Sequence, residues 1–113
     1  MKLLIVGSRT ITDFNLSDVI PKDTNMIISG GATGIDTLAE QYADEHGIEK
    51  LIIRPEYERF GRVAPIKRNE KMVDLADVVL AIWDGESRGT RYTLHYTHKK
   101  GKRIIEIIKK AED

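Results

Sequence analysis

The segment SGGATGID, residues 29–36, has the composition of an anion-binding loop. Glycine backbone can approach a bound group closely, and the free amides at the start of a helix favour a phosphate. The candidate phosphate ligands are Ser29, Gly30, Gly31, Thr33 and Gly34. The alternative is a tight turn that needs positive φ. Neither the Walker motif nor G-x-G-x-x-G matches the segment.

Two further segments, residues 7–10 (GSRT) and 83–90 (WDGESRGT), each follow an apolar run. The second opens a predicted helix, so it supplies a second glycine-flanked helix N-terminus. An arginine can make a bidentate hydrogen-bonded contact with a phosphate. The candidate ligand-binding residues here are Gly7, Ser8, Arg9, Asp84, Gly85, Ser87, Gly89 and Thr90.

Residues 65–72 (PIKRNEKM) place a polar amide on an apolar helix face. The inward stripe is predicted to comprise Ile66, Asn69, Val73 and Ala76. A buried amide without partners costs about 1–3 kcal/mol. Asn69 therefore bonds either to a neighbouring loop or to a ligand. Arg68 beside it either contacts an oxyanion or is solvated.

The elements that must position these residues alternate along the chain. Continuous apolar runs, typical of parallel strands covered on both faces, occupy residues 3–6, 26–28, 51–53, 78–82 and 104–108. Helical patterns occupy residues 34–46, 65–76 and 90–100, with at most a short helix within 12–20. This alternation predicts an α/β fold with a parallel sheet. Ligands bind at the carboxyl ends of such strands.

The first predicted helix has the clearest pattern. Its inward stripe is Ile35, Leu38, Ala39, Tyr42 and His46. Thr33 and Asp36 have the spacing of a variant capping box. The helix over residues 90–100 has a weak apolar stripe, and residues 109–113 are expected to fray.

Composition bounds the function. The 113 residues carry 18 basic and 18 acidic side chains and no cysteine, so disulfides and thiolate chemistry are excluded. We expect one domain spanning residues 1–113, located in the cytoplasm, with no membrane span and no metal site. A basic cluster at Lys99, Lys100, Lys102 and Arg103 is explained by helix C-terminus electrostatics or, less favoured, by DNA binding.

Together, GSR, SGGATGID, RNEKM and WDGESRGT resemble the SLOG superfamily, whose Rossmann-like fold is shared by DprA/Smf and the Lonely guy phosphoribohydrolases. The pattern is most similar to the YspA/cpYpsA-related branch and spans about residues 5–106. The resemblance implies a three-layer sandwich with a five-stranded parallel sheet ordered 3-2-1-4-5. It also implies a pocket for a nucleotide or nucleotide-derived ligand, with no other cofactor assigned.

The resemblance leaves the activity open. Arg68 aligns with an arginine of the Lonely guy enzymes, but Thr93 stands where those enzymes carry a catalytic glutamate. Arg68 and Asp84 are the catalytic candidates, and Asp36 is a further carboxylate that could replace the glutamate. We expect a nucleotide sensor or binding protein, a homo-oligomer of two chains. The alternatives are a hydrolase of N-glycosidic bonds in nucleotides or ADP-ribose-like ligands and, less favoured, a protein that binds single-stranded DNA.

Overall fold

Five strands and four helices alternate along residues 1–110, the part of the chain that the computed structural model describes. The strands are β1 (Lys2–Gly7), β2 (Met26–Ser29), β3 (Glu49–Ile52), β4 (Val78–Trp83) and β5 (Arg103–Ile108). The helices are α1 (Ile35–Glu45), α2 (Tyr57–Phe60), α3 (Ala64–Leu75) and α4 (Arg88–Lys99). The predicted short helix within 12–20 is a 3₁₀ turn at Leu16–Asp18.

All the strands pair in parallel in the order β3-β2-β1-β4-β5, which confirms the predicted fold class. The strand order reverses at β1, since β2 lies on one side of it and β4 on the other. Loops that leave β1 and β4 therefore diverge to opposite faces of the sheet and open a crevice between them.

Alternate residues of β1 enter two separate cores. Leu3 and Ile5 pack in the layer that contains α1, whereas Leu4 and Val6 pack in the layer that contains α3. Both faces of the strand are thus covered, which explains its uninterrupted apolar sequence.

The start of α1 differs from the prediction. Ile35 and Ala39 are buried as expected, but Gly34 rather than Thr33 is the N-cap residue, and Thr33 is exposed. Asp36 accepts a hydrogen bond from the Ala32 amide at 3.1 Å, so the predicted capping box is wrong. The stripe also ends early, because His46 is exposed and stacks on Tyr42.

Which residues of α3 and α4 are buried is also clear only from the structure. Ile66 of α3 is 39% exposed, so its predicted inward position is wrong, whereas Val73 and Ala76 are buried as predicted and Met72 is buried as well. The buried face of α4 consists of the threonines Thr90, Thr93 and Thr97. The last two donate hydroxyl hydrogen bonds to carbonyls one turn earlier, at 2.9 and 2.7 Å. Because these hydroxyls have partners within the helix, α4 can bury a face that contains few apolar residues.

The C-terminal end of β5 is held in place. The Lys109 amide donates to the Trp83 carbonyl at 2.8 Å, and its ammonium donates to the Asp13 carbonyl at 2.7 Å. The predicted fraying is therefore wrong for Lys109, and residues 111–113 lie outside the described residues. Within residues 1–110 no helix is long and apolar enough to cross a membrane.

Candidate functional site

A cleft of about 370 Å³ opens at the carboxyl ends of β1 and β4. Five parts of the fold meet there: the ends of β1 and β4, the starts of α1 and α4, and the inner face of α3. The lining residues are Val6, Gly7, Ser8, Arg9, Thr10, Ala32, Asp36, Arg68, Asn69, Met72, Asp84, Ser87, Gly89, Thr90 and Thr93.

Most of the predicted site residues lie in this lining. The structure brings together Gly7, Ser8, Arg9, Arg68, Asn69, Asp84, Ser87, Gly89 and Thr90. It leaves outside the lining Ser29, Gly30, Gly31, Thr33, Gly34 and Gly85. Their role in binding a ligand stays a prediction. Sequence reasoning considered Asp36 only as a replacement for the missing glutamate, and it did not select Thr10 or Thr93 as ligand-binding residues.

Two arginines lie against the glycine loop. The Arg68 guanidinium donates to the Gly30 carbonyl at 2.8 Å, and that of Arg54 donates to the Gly31 carbonyl at 3.4 Å. A Cβ on Gly30 would lie 2.8 Å from Nη1 of Arg68, and one on Gly31 would lie 2.7 Å from Nη1 of Arg54. These two glycines therefore allow arginine side chains to approach the backbone.

Several amides of the same loop already have acceptors. Gly31 donates to the Ser29 hydroxyl at 3.2 Å, and Ala32 donates to Asp36. Ile35, at the first turn of α1, donates to the Ser8 carbonyl at 3.3 Å. Phosphate binding by this loop stays a prediction, and the three amides just named already donate to acceptors within the protein.

Arg68 and Asn69 form one polar unit on α3. Nε of Arg68 donates to Oδ1 of Asn69 at 2.8 Å, and Nη1 also reaches the Ile53 carbonyl at 3.3 Å. Asn69 thus has a partner inside the protein, a side chain rather than a loop backbone. Burial lowers the pKa of Arg68, and the nearby charge of Asp36 opposes this shift.

Asp36 is a half-buried carboxyl in the lining of the cleft. Burial raises its pKa above the ordinary value, while the Ala32 hydrogen bond and the charge of Arg68 oppose the increase. One carboxyl oxygen, Oδ2, accepts from the Ala32 amide, and Oδ1 has no hydrogen-bond donor among residues 1–110. A carboxyl with a raised pKa can accept a hydrogen bond or transfer a proton. Local sequence does not signal this burial, because the same residue fits the pattern of a helix cap.

Asp84 organises the turn after β4. Its Oδ1 accepts from the amides of Glu86 and Ser87 at 2.8 and 3.1 Å. These hydrogen bonds hold the pKa of Asp84 below its ordinary value, and the one from the Glu86 amide has the largest effect. The Asp84 amide donates to the buried Ser8 hydroxyl at 3.0 Å, which joins the loops after β1 and β4.

The N-terminus of α4 faces the cleft with little covering it. Ser87 is the N-cap and accepts from the Thr90 amide at 3.4 Å. A Cβ on Gly89 would meet no atom within 4 Å, so this glycine borders open space. Thr93, one turn further along, is 1% exposed and donates to the Gly89 carbonyl.

Arg9 supplies a cation at the mouth of the cleft. Its side chain is exposed, and its charge acts on both Asp36 and Arg68. Among residues 1–110 it makes no side-chain hydrogen bond or ion pair. Within the same residues no group of three or more histidine and carboxylate side chains is placed to hold a metal ion.

Comparison with known proteins identifies the family. The model of the YspA, cpYpsA-related SLOG family matches residues 1–60, which is more than half of the chain. The Gene 61 protein of Mycobacterium phage D29 is 31% identical over 119 residues, covering 94% of this chain and 95% of the phage protein. No solved structure matches the chain. The chain therefore belongs to the YspA, cpYpsA-related SLOG family, and this membership links it to nucleotide-related binding or processing.

Proposed function

We propose that the cleft binds a nucleotide or nucleotide-derived phosphorylated ligand and that the protein acts as a sensor or binding protein for it. The observation that carries this proposal is the position of the α4 N-terminus and Arg9 on one cavity at the reversal point of the sheet. Residues 1–113 form one nucleotide-binding domain in this proposal. The predicted dimer and cytoplasmic location stay predictions.

The phosphate belongs at the start of α4. The first amides of a helix lack intrahelical acceptors, and the helix dipole makes this end positive. Open space at Gly89 lets an anion approach the backbone closely. Arg9 adds a full positive charge without another partner among the described residues.

The rest of the ligand fits the deeper part of the cleft. A volume of about 370 Å³ falls within the usual range for small-molecule sites, roughly 300–1,000 Å³. Oδ1 of Asp36, which has no hydrogen-bond donor among residues 1–110, would accept from a ribose hydroxyl or a base amine, and the methyl groups of Met72 and Thr93 would supply apolar contact.

Binding measured by calorimetry tests this proposal. We expect wild-type protein to bind AMP or GMP more tightly than adenosine or guanosine. Arg9→Ala should weaken nucleotide binding by about 1.5–3 kcal/mol, the worth of a hydrogen bond to a charged group, and affect the nucleosides far less. Arg103→Ala is the matched control, because Arg103 is exposed at the amino end of β5.

Two outcomes would contradict the proposal. One is the absence of binding of AMP, GMP and inorganic phosphate to wild-type protein. The other is an equal loss of nucleotide and nucleoside affinity in Arg9→Ala, which would show that the arginine does not contact the phosphate.

Hydrolysis of an N-glycosidic bond is the second candidate function, and the raised pKa of Asp36 favours it. In that reaction a water oxygen bonds to C1′ of the ribose, the C1′–N bond breaks, and the leaving base gains a proton. Protonated Asp36 would supply the proton to the base, and Asp84 would accept one from water. Thr93 lacks a carboxyl and its hydroxyl is already bonded to Gly89, so it cannot serve either role.

Chromatography of products separates the two candidates. Nucleoside monophosphates, ADP-ribose and NAD are incubated with wild-type protein and with Asp36→Asn. Release of free base by wild type, lost in the variant, supports the hydrolase. Tight binding with intact ligand supports the sensor.

Single-stranded DNA binding is the least favoured function. The ammonium of Lys102, in the predicted basic cluster, donates to the carbonyls of Val73, Asp74 and Ala76 at 2.8, 2.9 and 2.7 Å. This lysine therefore closes the C-terminus of α3, and its charge is used within the protein.

A further inference from the structure

A small cavity of about 50 Å³, here called the basic cavity, lies where the end of β3 meets α2 and the first half of α3. Four of its lining side chains are cationic, Arg54, Lys67, Arg68 and Lys71, and one, Glu56, is acidic. Arg68 also lines the cleft, and among the described residues the two linings have no other member in common. The basic cavity is therefore separate from the proposed phosphate site at the start of α4.

The positive charge of the basic cavity is only partly balanced within the protein. Glu56 already forms an ion pair with Arg59 at 3.6 Å, and Lys67 reaches Glu70 only at 3.9 Å. Lys71 belongs to none of the ion pairs found within residues 1–110. Lys67 and Lys71 are also four residues apart on α3, a spacing at which like charges destabilise a helix. A bound anion would offset this repulsion.

The two arginines of the basic cavity are held in place by the glycine loop. Arg54 and Arg68 each donate through Nη1 to a loop carbonyl, the first to Gly31 and the second to Gly30. Nη2 of each guanidinium has no acceptor among residues 1–110, so it is available to a ligand. Side chains that are already positioned lose less conformational freedom when they bind. The two guanidinium groups are therefore prepared to bind an anion.

The size of the basic cavity restricts its ligand. Its volume of about 50 Å³ is far below that of sites for drug-sized molecules, roughly 300–1,000 Å³, so a nucleotide does not fit. One water molecule needs about 10–15 Å³, so there is room for a group of a few heavy atoms. Size and charge together favour a small oxyanion.

We propose that the basic cavity binds a free tetrahedral oxyanion of the size of inorganic phosphate, as a second anion site beside the cleft. Lys67 and Lys71 supply charge from α3, and Arg54 and Arg68 supply guanidinium hydrogen bonds. The glycine loop then supports the two arginines, and the anion contacts their side chains instead of the loop amides. This inference goes beyond the proposed function, because neither site needs the other to be occupied.

Nuclear magnetic resonance of ¹⁵N-labelled protein tests this inference by titration with sodium phosphate, at an ionic strength held constant with sodium chloride. We expect the amide signals of residues 53–54 and 67–71 to shift and to saturate. The double variant Lys67→Gln, Lys71→Gln should weaken this binding by at least about tenfold, because two charged hydrogen-bond donors are removed. Arg54→Gln should weaken it as well and leaves α3 unchanged.

The matched control is the double variant Lys22→Gln, Lys99→Gln. It removes the same charge from two exposed lysines outside the basic cavity, and it should leave the phosphate affinity unchanged. Arg9→Ala, in the cleft, should also leave the shifts at residues 53–54 and 67–71 unchanged. The spectrum of each variant shows directly whether it is folded.

Three results would overturn the inference. The first is the absence of saturating shifts at residues 53–54 and 67–71 in wild-type protein. The second is an equal loss of affinity in the two double variants, which would indicate a general effect of net charge. The third is the disappearance of these shifts in Arg9→Ala, which would assign them to phosphate in the cleft. Signals of residues 87–90 report on the cleft, so either proposal can fail alone.

Discussion

At the scale of single residues, the cleft contains two carboxyls in opposite surroundings. Asp36 is half-buried and its pKa is raised by burial, whereas Asp84 is held below its ordinary pKa by backbone amides. Environments that separate the pKa values of two acids divide the roles of proton donor and acceptor between them. Asp36 is therefore the carboxyl of the two that holds its proton more tightly.

The raised pKa of Asp36 predicts a pH dependence of stability. The folded state holds the Asp36 proton more tightly than the unfolded chain, in which the pKa of this carboxyl is near 3.8. The stability contribution is fully present below that pH and is lost as the pH rises through the raised value. Denaturant unfolding over a pH series should show this decline in wild type relative to Asp36→Asn.

Asn retains an oxygen that can accept from the Ala32 amide, so the variant should fold. Other carboxylates change the two curves alike, and the difference between them isolates Asp36. A difference in unfolding free energy that is constant from pH 3 to pH 7, or that grows in favour of wild type, would contradict the assignment.

At the scale of elements, the two glycine-flanked helix starts have different surroundings. The start of α1 packs tightly, because a Cβ on Gly34 would collide with the Arg9 carbonyl oxygen. The start of α4 borders the open cleft at Gly89. A glycine in the first case serves packing, and in the second it leaves room for a ligand.

Gly89→Ala separates stability from binding at α4. Alanine should stabilise the helix by about 0.5–1 kcal/mol, since it loses less backbone freedom than glycine and meets no atom within 4 Å. The same methyl group would project into the proposed phosphate site and weaken AMP binding. Thermal unfolding measures the first effect and calorimetry the second. Gln41→Ala, on the exposed face of α1, is the control. A more stable variant with unchanged AMP affinity would place the phosphate elsewhere.

Lys102→Met tests the closure of α3. Methionine keeps most of the apolar stem and removes the ammonium that bonds three carbonyls. We expect a loss of about 1.5–3 kcal/mol in the free energy of unfolding, measured with denaturant. Lys99→Met, at the exposed end of α4, should have little effect. Equal stability of the two variants would show that water replaces the ammonium without loss.

At the scale of the whole molecule, the cleft depends on contacts between distant parts of the chain. The hydrogen bond from Asp84 to Ser8 joins residues 76 positions apart, and that from Arg68 to Gly30 joins residues 38 apart. The first connects the loops on the two sides of the reversal point, and the second fixes α3 against the end of β2. The site therefore forms only when the whole sheet is assembled.

The sequence by itself determined the elements and the edge of the sheet where the site lies. Apolar runs, glycine stops and Pro65 at the start of α3 are local signals, and they located the five strands and three longer helices to within a few residues. The motif resemblance added the strand order. Ser8, Asp84 and Gly89 were placed at the cleft because each follows a strand of the predicted parallel sheet.

Only the tertiary structure decided which glycine segment borders open space. Arg54 and Arg68 fold back onto Gly30 and Gly31 from beyond β3, and no local pattern around residues 29–36 encodes their approach. The burial of Asp36 and of the α4 threonines likewise depends on elements far away in sequence. Hydrogen-bond partners, free volume and pKa shifts are properties of the assembled surroundings, so they follow from the packing of the chain and not from its local pattern.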